Sequence, residues 1–329
     1  MRKILSIFLV ILPLLSVAQF APPAGQEGTT AMHADSSAFV AWATGVVVEH
    51  GPMNIANPSA GMTGGSPYVD ENALGVPEGT YGVVCLGDGG KATLTFRSPI
   101  YNGPGPDFAV FENGFANAQN QSTYFLELAF VEVSSDGEHF FRFPAYFNAP
   151  QEPQLGGMGC IDPTLIHNLA SKYAAFYGTP FDLDEVEDDP LLDKNRVTHV
   201  RLVDVVCCIQ PEYATYDCQV HVVNDPWPTP FNSSGFDLDA VGVIHDLAHY
   251  DVIEDQEITS VNLYPNPVNC ILSVDVANVT SISLYSLTGQ CVLETENSNK
   301  IDVSTLTPGL YFARIVVDGK AFVNKFVKN

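Results

Sequence analysis

The stretch "GPGPDFAVFENGF", residues 103–115, decides the fold class of this chain. Its middle, "FAVF", is an unbroken apolar run, which predicts a buried β-strand. A carboxylate stands at each end of the run, Asp107 before it and Glu112 after it, and Asn113 follows the second. Buried charges need partners. The stretch therefore predicts a strand whose flanking carboxylates are balanced by a cation or by hydrogen-bond donors.

Similar short apolar segments recur along the chain, separated by Gly, Pro, Asn and Asp. They predict strands at 44–50, 80–87, 91–96, 107–113, 125–134, 139–146, 197–206 and 237–245. Asp136-Gly137 is a strong signal for a hairpin turn. Strands at this spacing without intervening helices predict an all-β, antiparallel sandwich of the jelly-roll kind. One helical insertion is predicted over 163–177, where apolar residues recur at helical spacing after an Asp-Pro cap.

Charge is distributed unevenly. The chain has 14 Lys and Arg against 38 Asp and Glu. Residues 19–257 contain seven basic and 33 acidic residues, whereas residues 258–329 contain five of each. We therefore predict an acidic domain followed by a neutral one. An acidic surface repels phosphate backbones and anionic lipid. Nucleic acid is therefore not expected as a partner, while divalent cations are candidates; the alternative is that the charge keeps a secreted protein soluble.

Residues 1–18, "MRKILSIFLVILPLLSVA", have the basic start, apolar run and small-residue end of a signal peptide. Export to an oxidising compartment favours disulfides among the seven cysteines. The bridges expected are Cys207 or Cys208 with Cys218, and Cys270 with Cys291. Because the number of cysteines is odd, at least one thiol stays free or pairs between chains.

The neutral domain carries spaced motifs near its start, middle and end. Their residues are Tyr264-Pro265-Asn266-Pro267, Gly289 in "LYSLTGQ", Pro308, Gly309 and Tyr311 in "LTPGLYFARI", and Lys325 and Lys328 in the terminal "KFVKN". These motifs resemble the type A C-terminal sorting domain of the type IX secretion system of Bacteroidetes. The resemblance implies a small Ig-like β-sandwich that is read by an outer-membrane translocon. It also implies a secreted or outer-surface location, cleavage of the tail and attachment of the cargo to a surface glycolipid; a plain Ig-like adhesion module is the alternative.

Phrases of the acidic domain resemble a second group. They include "CLGDGGKATLTF" at 85–96, "ELAFVEVSSDGEHFFRFP" at 127–144 and "GFDLDAVGVIH" at 235–245. These phrases are similar to those of a family of uncharacterised bacterial cell-surface proteins, and the strand order resembles galactose-binding, discoidin-type jelly rolls. Some surface proteins of this general kind occur with cobalamin uptake systems, although no motif here is suited to a corrin.

Carboxylates end two apolar strands that are distant in sequence. Asp107, Glu112 and Asn113 flank the first strand, and Asp237 and Asp239 begin the second, where alternation predicts that they share a face. Adjacent carboxylates repel unless a cation or hydrogen-bond donors lie between them. Since calcium binds carboxylate and amide oxygens, we predict a calcium site formed by these five residues. The alternative is that the acids cap backbone amides or pair with arginines.

Aromatic residues in the loops suggest what the acidic domain binds. Trp227 and Tyr101 are candidate platforms for a sugar or another flat ligand, and the alternative for Trp227 is a packed loop plug. The sequence thus predicts an exported, non-catalytic protein that binds a glycan or other small ligand with a structural calcium. The alternative functions are a secreted carbohydrate-active hydrolase and a cobalamin-type nutrient-capture accessory.

Overall fold

The structure, a computed structural model, describes residues 20–250, 261–317 and 319–329. The signal peptide predicted at 1–18 and the domain boundary predicted between 257 and 258 lie outside the described residues. The chain divides into two compact units, Met1–Tyr250 and Asp251–Asn329. None of the helices in the described ranges has the length and hydropathy needed to cross a bilayer.

The first unit is built from short strands and single 3-10 turns. Its strands are β1 Met32–His33, β2 Ala41–Trp42, β3 Gly45–Glu49, β4 Val84–Cys85, β5 Lys91–Ile100, β6 Phe108–Glu112, β7 Phe115–Ala116, β8 Tyr124–Phe125, β9 Ala129–Ser134, β10 Phe141–Arg142, β11 Tyr146–Phe147, β12 Ile166–His167, β13 Leu169–Ala170, β14 Tyr177–Phe181, β15 Val197–Asp204 and β16 Asp237–Val243. The 3-10 helices are Pro58–Ala60, Asp70–Ala73, Pro163–Leu165, Leu183–Glu185 and Lys194–Arg196.

Two antiparallel sheets of six strands each form the body of this unit. The first has the order β1-β14-β6-β16-β2, with β4 also paired to β16, and the second has the order β10-β9-β15-β5-β3, with β13 paired to β9. Apolar residues from both sheets form the main core, among them Leu94, Phe108, Val131, Val200 and Val241. The predicted all-β sandwich is therefore confirmed, as is the hairpin between β9 and β10, where Gly137 takes the positive φ of 80° that the turn requires.

Strand β6 is apolar on both faces because both are covered. Phe108 and Val110 face the main core. Ala109 and Phe111 belong to a second cluster, which the N-terminal segment completes with Phe39 and its neighbours. A strand that is buried on both sides shows a continuous apolar run rather than alternation, which explains the unbroken "FAVF".

The helix predicted over 163–177 is wrong. Asp162 does accept a hydrogen bond from the Thr164 amide, and Pro163 begins a helical turn, but that turn ends at Leu165. The backbone then pairs with the sandwich instead of with itself, because β12 joins β11 and β13 joins the edge of β9. Burial of the same apolar side chains against existing sheet edges outweighs the helical propensity of the segment, which is weak by comparison with tertiary contacts.

The predicted disulfides are not formed, and all seven cysteines are free. Cys207 is buried beside Cys208 and Trp227, and its thiol donates to the carbonyl of Val205 at 3.1 Å. Cys218 is exposed. In the second unit, Cys291 lies in a strand of one sheet, and the strand that follows Cys270 belongs to the other.

The second unit has its own core and two sheets. Its strands are β17 Leu263–Tyr264, β18 Ile271–Val274, β19 Val279–Tyr285, β20 Cys291–Glu296, β21 Lys300–Asp302, β22 Gly309–Val317 and β23 Lys320–Lys328. One sheet has the order β17-β18-β21 and the other β20-β19-β22-β23. The core contains Ile282, Leu284, Ala313, Ile315 and Phe326, all fully buried. This small antiparallel sandwich agrees with the fold that the resemblance of the tail implies.

Candidate functional site

The predicted calcium ligands do not form one site. Asp107 precedes β6 and Glu112 ends it, so their Cα atoms are separated by five residues of extended chain, roughly 16 Å at about 3.3 Å per residue. Asp107 is fully buried, and both of its carboxylate oxygens already accept hydrogen bonds, from Gly103 N at 2.7 Å, Leu183 N at 2.8 Å and His245 Nδ1 at 2.8 Å. Asp107 therefore holds neighbouring loops to the sheet. This role corresponds to the alternative in which the acids cap backbone amides.

Asp239 has a separate role because β16 contains a bulge. Leu238 lies opposite Glu112 while Ala240 lies opposite Phe111, so β16 has one extra residue at Asp239 and the predicted alternation with Asp237 is broken. The Asp239 carboxylate accepts hydrogen bonds from Glu78 N and Gly79 N, both at 2.9 Å. Burial raises its pKa to about 6 despite these bonds.

Glu112, Asn113 and Asp237 do come together. Asn113 Nδ2 donates to Asp237 Oδ2 at 3.0 Å. Glu112 is fully buried, and its Oε2 accepts from Gly114 N and Ser171 Oγ, both at 2.6 Å. Burial is the main cause that raises the pKa of Glu112 well above its usual range and the pKa of Asp237 to about 7.

Glu127 and Asp225 lie near Glu112 and Asp237. Neither was predicted as a site residue from the sequence. Asp225 is fully buried and its Oδ2 accepts from Leu128 N at 2.7 Å, which places it beside Glu127. Burial raises the pKa of Glu127 well above its usual range, and the charges of Asp237, Glu112 and Asp225 raise it further. The sequence signal for Glu127 is a carboxylate inside an apolar run, "FLELAF". We call Glu112, Glu127, Asp225 and Asp237 the acid cluster.

The acid cluster is not a preformed metal centre. Across residues 20–250 and the described parts of the second unit, no three His, Cys, Asp or Glu side chains are arranged around a point as metal ligands are. Three of the cluster's oxygens nevertheless have no hydrogen-bond partner although they are buried: Glu112 Oε1, Asp225 Oδ1 and Asp237 Oδ1. Buried polar atoms of this kind are rare and require an explanation.

The two predicted aromatic platforms are already packed. Trp227 is 9% exposed, packs on Cys207 and Cys208, and donates from Nε1 to Asp88 Oδ2 at 3.2 Å. This placement corresponds to the alternative, a plug that holds the loop. The Tyr101 ring packs edge-on against Tyr250 with centroids 4.6 Å apart.

An open groove of about 700 Å³ lies elsewhere on the first unit. It is lined by Tyr216, Arg142, Lys194 and the acidic segment 184–188; we call it the Tyr216 groove. Tyr216 is 44% exposed. The Arg142 guanidinium lies 4.2 Å from the centroid of the Phe130 ring.

The sorting-signal residues of the second unit meet at the terminal strand. Asn266 Oδ1 accepts from Val327 N at 2.9 Å, and Asn266 Nδ2 donates to Lys325 O at 3.3 Å. The first motif thus holds the last one in place, and Tyr264 beside it is 50% exposed.

The middle motifs are structural parts of the same sheet. Tyr311 stacks on Phe326 with ring centroids 5.6 Å apart, and its hydroxyl donates to Thr307 O at 2.9 Å. Gly309, which follows Pro308, begins β22 opposite Lys328. Gly289 has the positive φ, 81°, needed for the turn between β19 and β20.

Comparison with known protein families agrees with the identification of the second unit from its motifs. Residues 262–329 match the model of the family described as "Secretion system C-terminal sorting domain". A search of curated proteins found no match. One solved structure, titled "Biofilm associated protein - BSP domain", is similar at 10% identity and a TM-score of 0.19, over 73% of this chain and 48% of that chain, so this chain spans about half of its length.

The motifs, the sandwich that brings the first and last of them together, and the family match all agree. Residues 262–329 are a type IX secretion system C-terminal sorting domain, and the protein that carries it is exported to the outer cell surface or the medium.

Proposed function

We propose that the first unit is a non-catalytic module that binds a glycan in the Tyr216 groove after export. In this proposal the sorting tail is removed and the unit stays on the surface, attached to a glycolipid. The observation that supports it best is the presence, in one open groove, of an exposed aromatic ring and fixed charged side chains. Aromatic faces supply contact area for a flat ligand, and a few placed polar groups fix its orientation.

Arg142 is the best placed of those polar groups. Its Nε and Nη2 donate to Glu132 Oε1 at 2.9 and 2.7 Å, while the guanidinium stays partly exposed over Phe130. A guanidinium has five N–H donors in a fixed fork, so donors beyond the two held by Glu132 can reach a sugar hydroxyl. Because the side chain is held before ligand arrives, less entropy is lost on binding.

The charges in the groove favour binding over hydrolysis. A glycosidase needs a carboxylic acid whose pKa is raised. In the groove, the hydrogen bond from His167 lowers the pKa of Glu185 instead. The carboxyls with raised pKa values, among them those of the acid cluster and Asp239, are buried and do not line the groove. The acidic segment 184–188 should also repel anionic sugars, so we propose a neutral or amino-sugar glycan.

A glycan array probed with the full mature chain, followed by calorimetry on the best sugar, tests this proposal. Tyr216→Ala should weaken binding about tenfold, since an aromatic contact contributes about 0.5–1.5 kcal/mol beyond its buried area. Tyr81→Ala is the matched control because Tyr81 is 85% exposed and lies outside the groove. Equal affinities of the two variants would place the ligand elsewhere, and an array without signal would remove the glycan proposal. Titration with cobalamin checks the nutrient alternative.

A further inference from the structure

The acid cluster lies between one end of the first sheet, formed by β6 and β16, and the segment that leads into β9 of the second sheet. Glu112 is the last residue of β6 and Asp237 the first of β16, and these strands are paired. Glu127 lies just before β9, and the amide of the next residue binds Asp225. The members are 0–5% exposed. Gly114, which donates to Glu112, lies against the carbonyl of Phe125, two residues before Glu127. Segments that are far apart in sequence therefore place these carboxylates close to one another.

Each of three cluster acids is anchored by one oxygen and leaves the other without a partner. Glu112 is held by Gly114 and Ser171, and its Oε1 is unpartnered. Asp237 is held through Oδ2 by Asn113, and Asp225 through Oδ2 by the amide that follows Glu127, while the Oδ1 of each is unpartnered. Hydrogen bonds that fix one part of a carboxylate and leave an oxygen for an ion are the usual support of a metal ligand.

The thiols near these oxygens are poor substitutes for a partner. The Cys85 thiol lies beside Asp237 and the Cys207 thiol beside Asp225. Cys207 also donates to the carbonyl of Val205. A thiol is a weak hydrogen-bond donor and carries no positive charge, so it offsets only part of the cost of burying a carboxylate.

Four basic side chains of the first unit are engaged away from the cluster. Arg142 and Arg201 both pair with Glu132, and Lys194 pairs with Asp188. Lys172, although buried, donates to the carbonyls of Pro163 and Ile166. Charged carboxylates are costly to bury side by side, and either protonation or a bound cation relieves that cost.

We propose that Glu112, Glu127, Asp225 and Asp237 bind a calcium ion at this end of the sandwich. Calcium takes oxygen ligands, carboxylates foremost, in flexible geometry. The carboxylates are not gathered around one point in the structure, so binding draws the three unpartnered oxygens and the Glu127 carboxylate inward. The ion would then join β6, β16 and the chain before β9. This site differs from the one predicted from the sequence, since it excludes Asp107 and Asp239 and includes Glu127 and Asp225.

The test uses the full mature chain, freed of metal with a chelator and melted with 5 mM calcium, magnesium or zinc, or with EDTA. Calcium should raise the melting temperature by about 5 °C or more, and equilibrium dialysis should find at least one ion per chain. Glu112→Gln and Asp237→Asn should abolish this shift. In EDTA these variants should melt at or above the wild-type temperature, because each replaces a carboxyl that is costly to ionise in this buried place with a neutral amide.

Asp107→Asn is the matched control: it changes a buried acid at the other end of β6 and should keep the calcium shift. The proposal is overturned if the wild-type protein melts equally in calcium and EDTA and retains no ion on dialysis, a measurement that needs no variant to fold. It is also overturned if magnesium or zinc acts as calcium does, or if Asp107→Asn loses the shift together with Asp237→Asn. The result is independent of glycan binding at Tyr216.

Discussion

Replacing Asn266 by Ala should loosen the end of the sorting tail. The side chain makes one good hydrogen bond to the terminal strand, from Val327 N at 2.9 Å, and one longer bond to Lys325 O at 3.3 Å. A typical hydrogen bond contributes about 0.5–1.5 kcal/mol, and both of these are exposed. We therefore expect local opening of residues 325–328 to become easier by about 1–1.4 kcal/mol, which is a five- to tenfold change in the opening equilibrium.

Amide hydrogen exchange on the full chain measures this directly, and the Val327 amide should exchange five to ten times faster. Asn262→Ala is the control, because Asn262 Nδ2 binds Asp275 at 2.7 Å and does not touch the terminal strand. Export of the variant in cells should fall with the loss of order if the secretion machinery reads the strand in this position. Unchanged protection of Val327, or an equal change in Asn262→Ala, would refute the reasoning.

Two further predictions concern the first unit. Burial lowers the pKa of Lys172 from 10.5 to about 7, so the unfolded chain binds more protons between these pH values and the free energy of unfolding should rise with pH across that window. Relative to Lys172→Met the rise should be on the order of 4 kcal/mol, and parallel pH profiles in urea titrations would contradict it. Trp227→Phe removes the bond to Asp88 and should lower the free energy of unfolding by about 1–3 kcal/mol without changing glycan affinity; weakened binding at unchanged stability would restore Trp227 as a ligand platform.

The sequence was most informative where the signal is local. Strand β6, the hairpin at Gly137 and the strands of the sorting tail follow from apolar runs and turn residues that lie close together in the chain. The tail was also recognisable because each of its motifs is a contiguous stretch of residues. The family match at 262–329 confirms this identification. Such patterns carry their meaning within a few residues.

The missing helix shows where local reasoning fails. Helical spacing and a correct cap were present at Asp162 and Pro163, yet only one turn forms there. The segment that follows is added to the edges of β9 and β11. Local propensity is worth tenths of a kcal/mol per residue, whereas burial of one large apolar side chain is worth about 1.5–3 kcal/mol, so packing decides.

The sequence by itself determined that this protein is exported, that it is built from β-strands, and that carboxylates flank one of its fully buried strands. Tertiary structure alone decided which carboxylates are neighbours. The bulge at Asp239 separated it from Asp237, strand length separated Asp107 from Glu112, and folding brought in Glu127 and Asp225 from other segments. The physical reason is that the distance between charges depends on strand pairing and register across the whole chain, which no short stretch of sequence specifies.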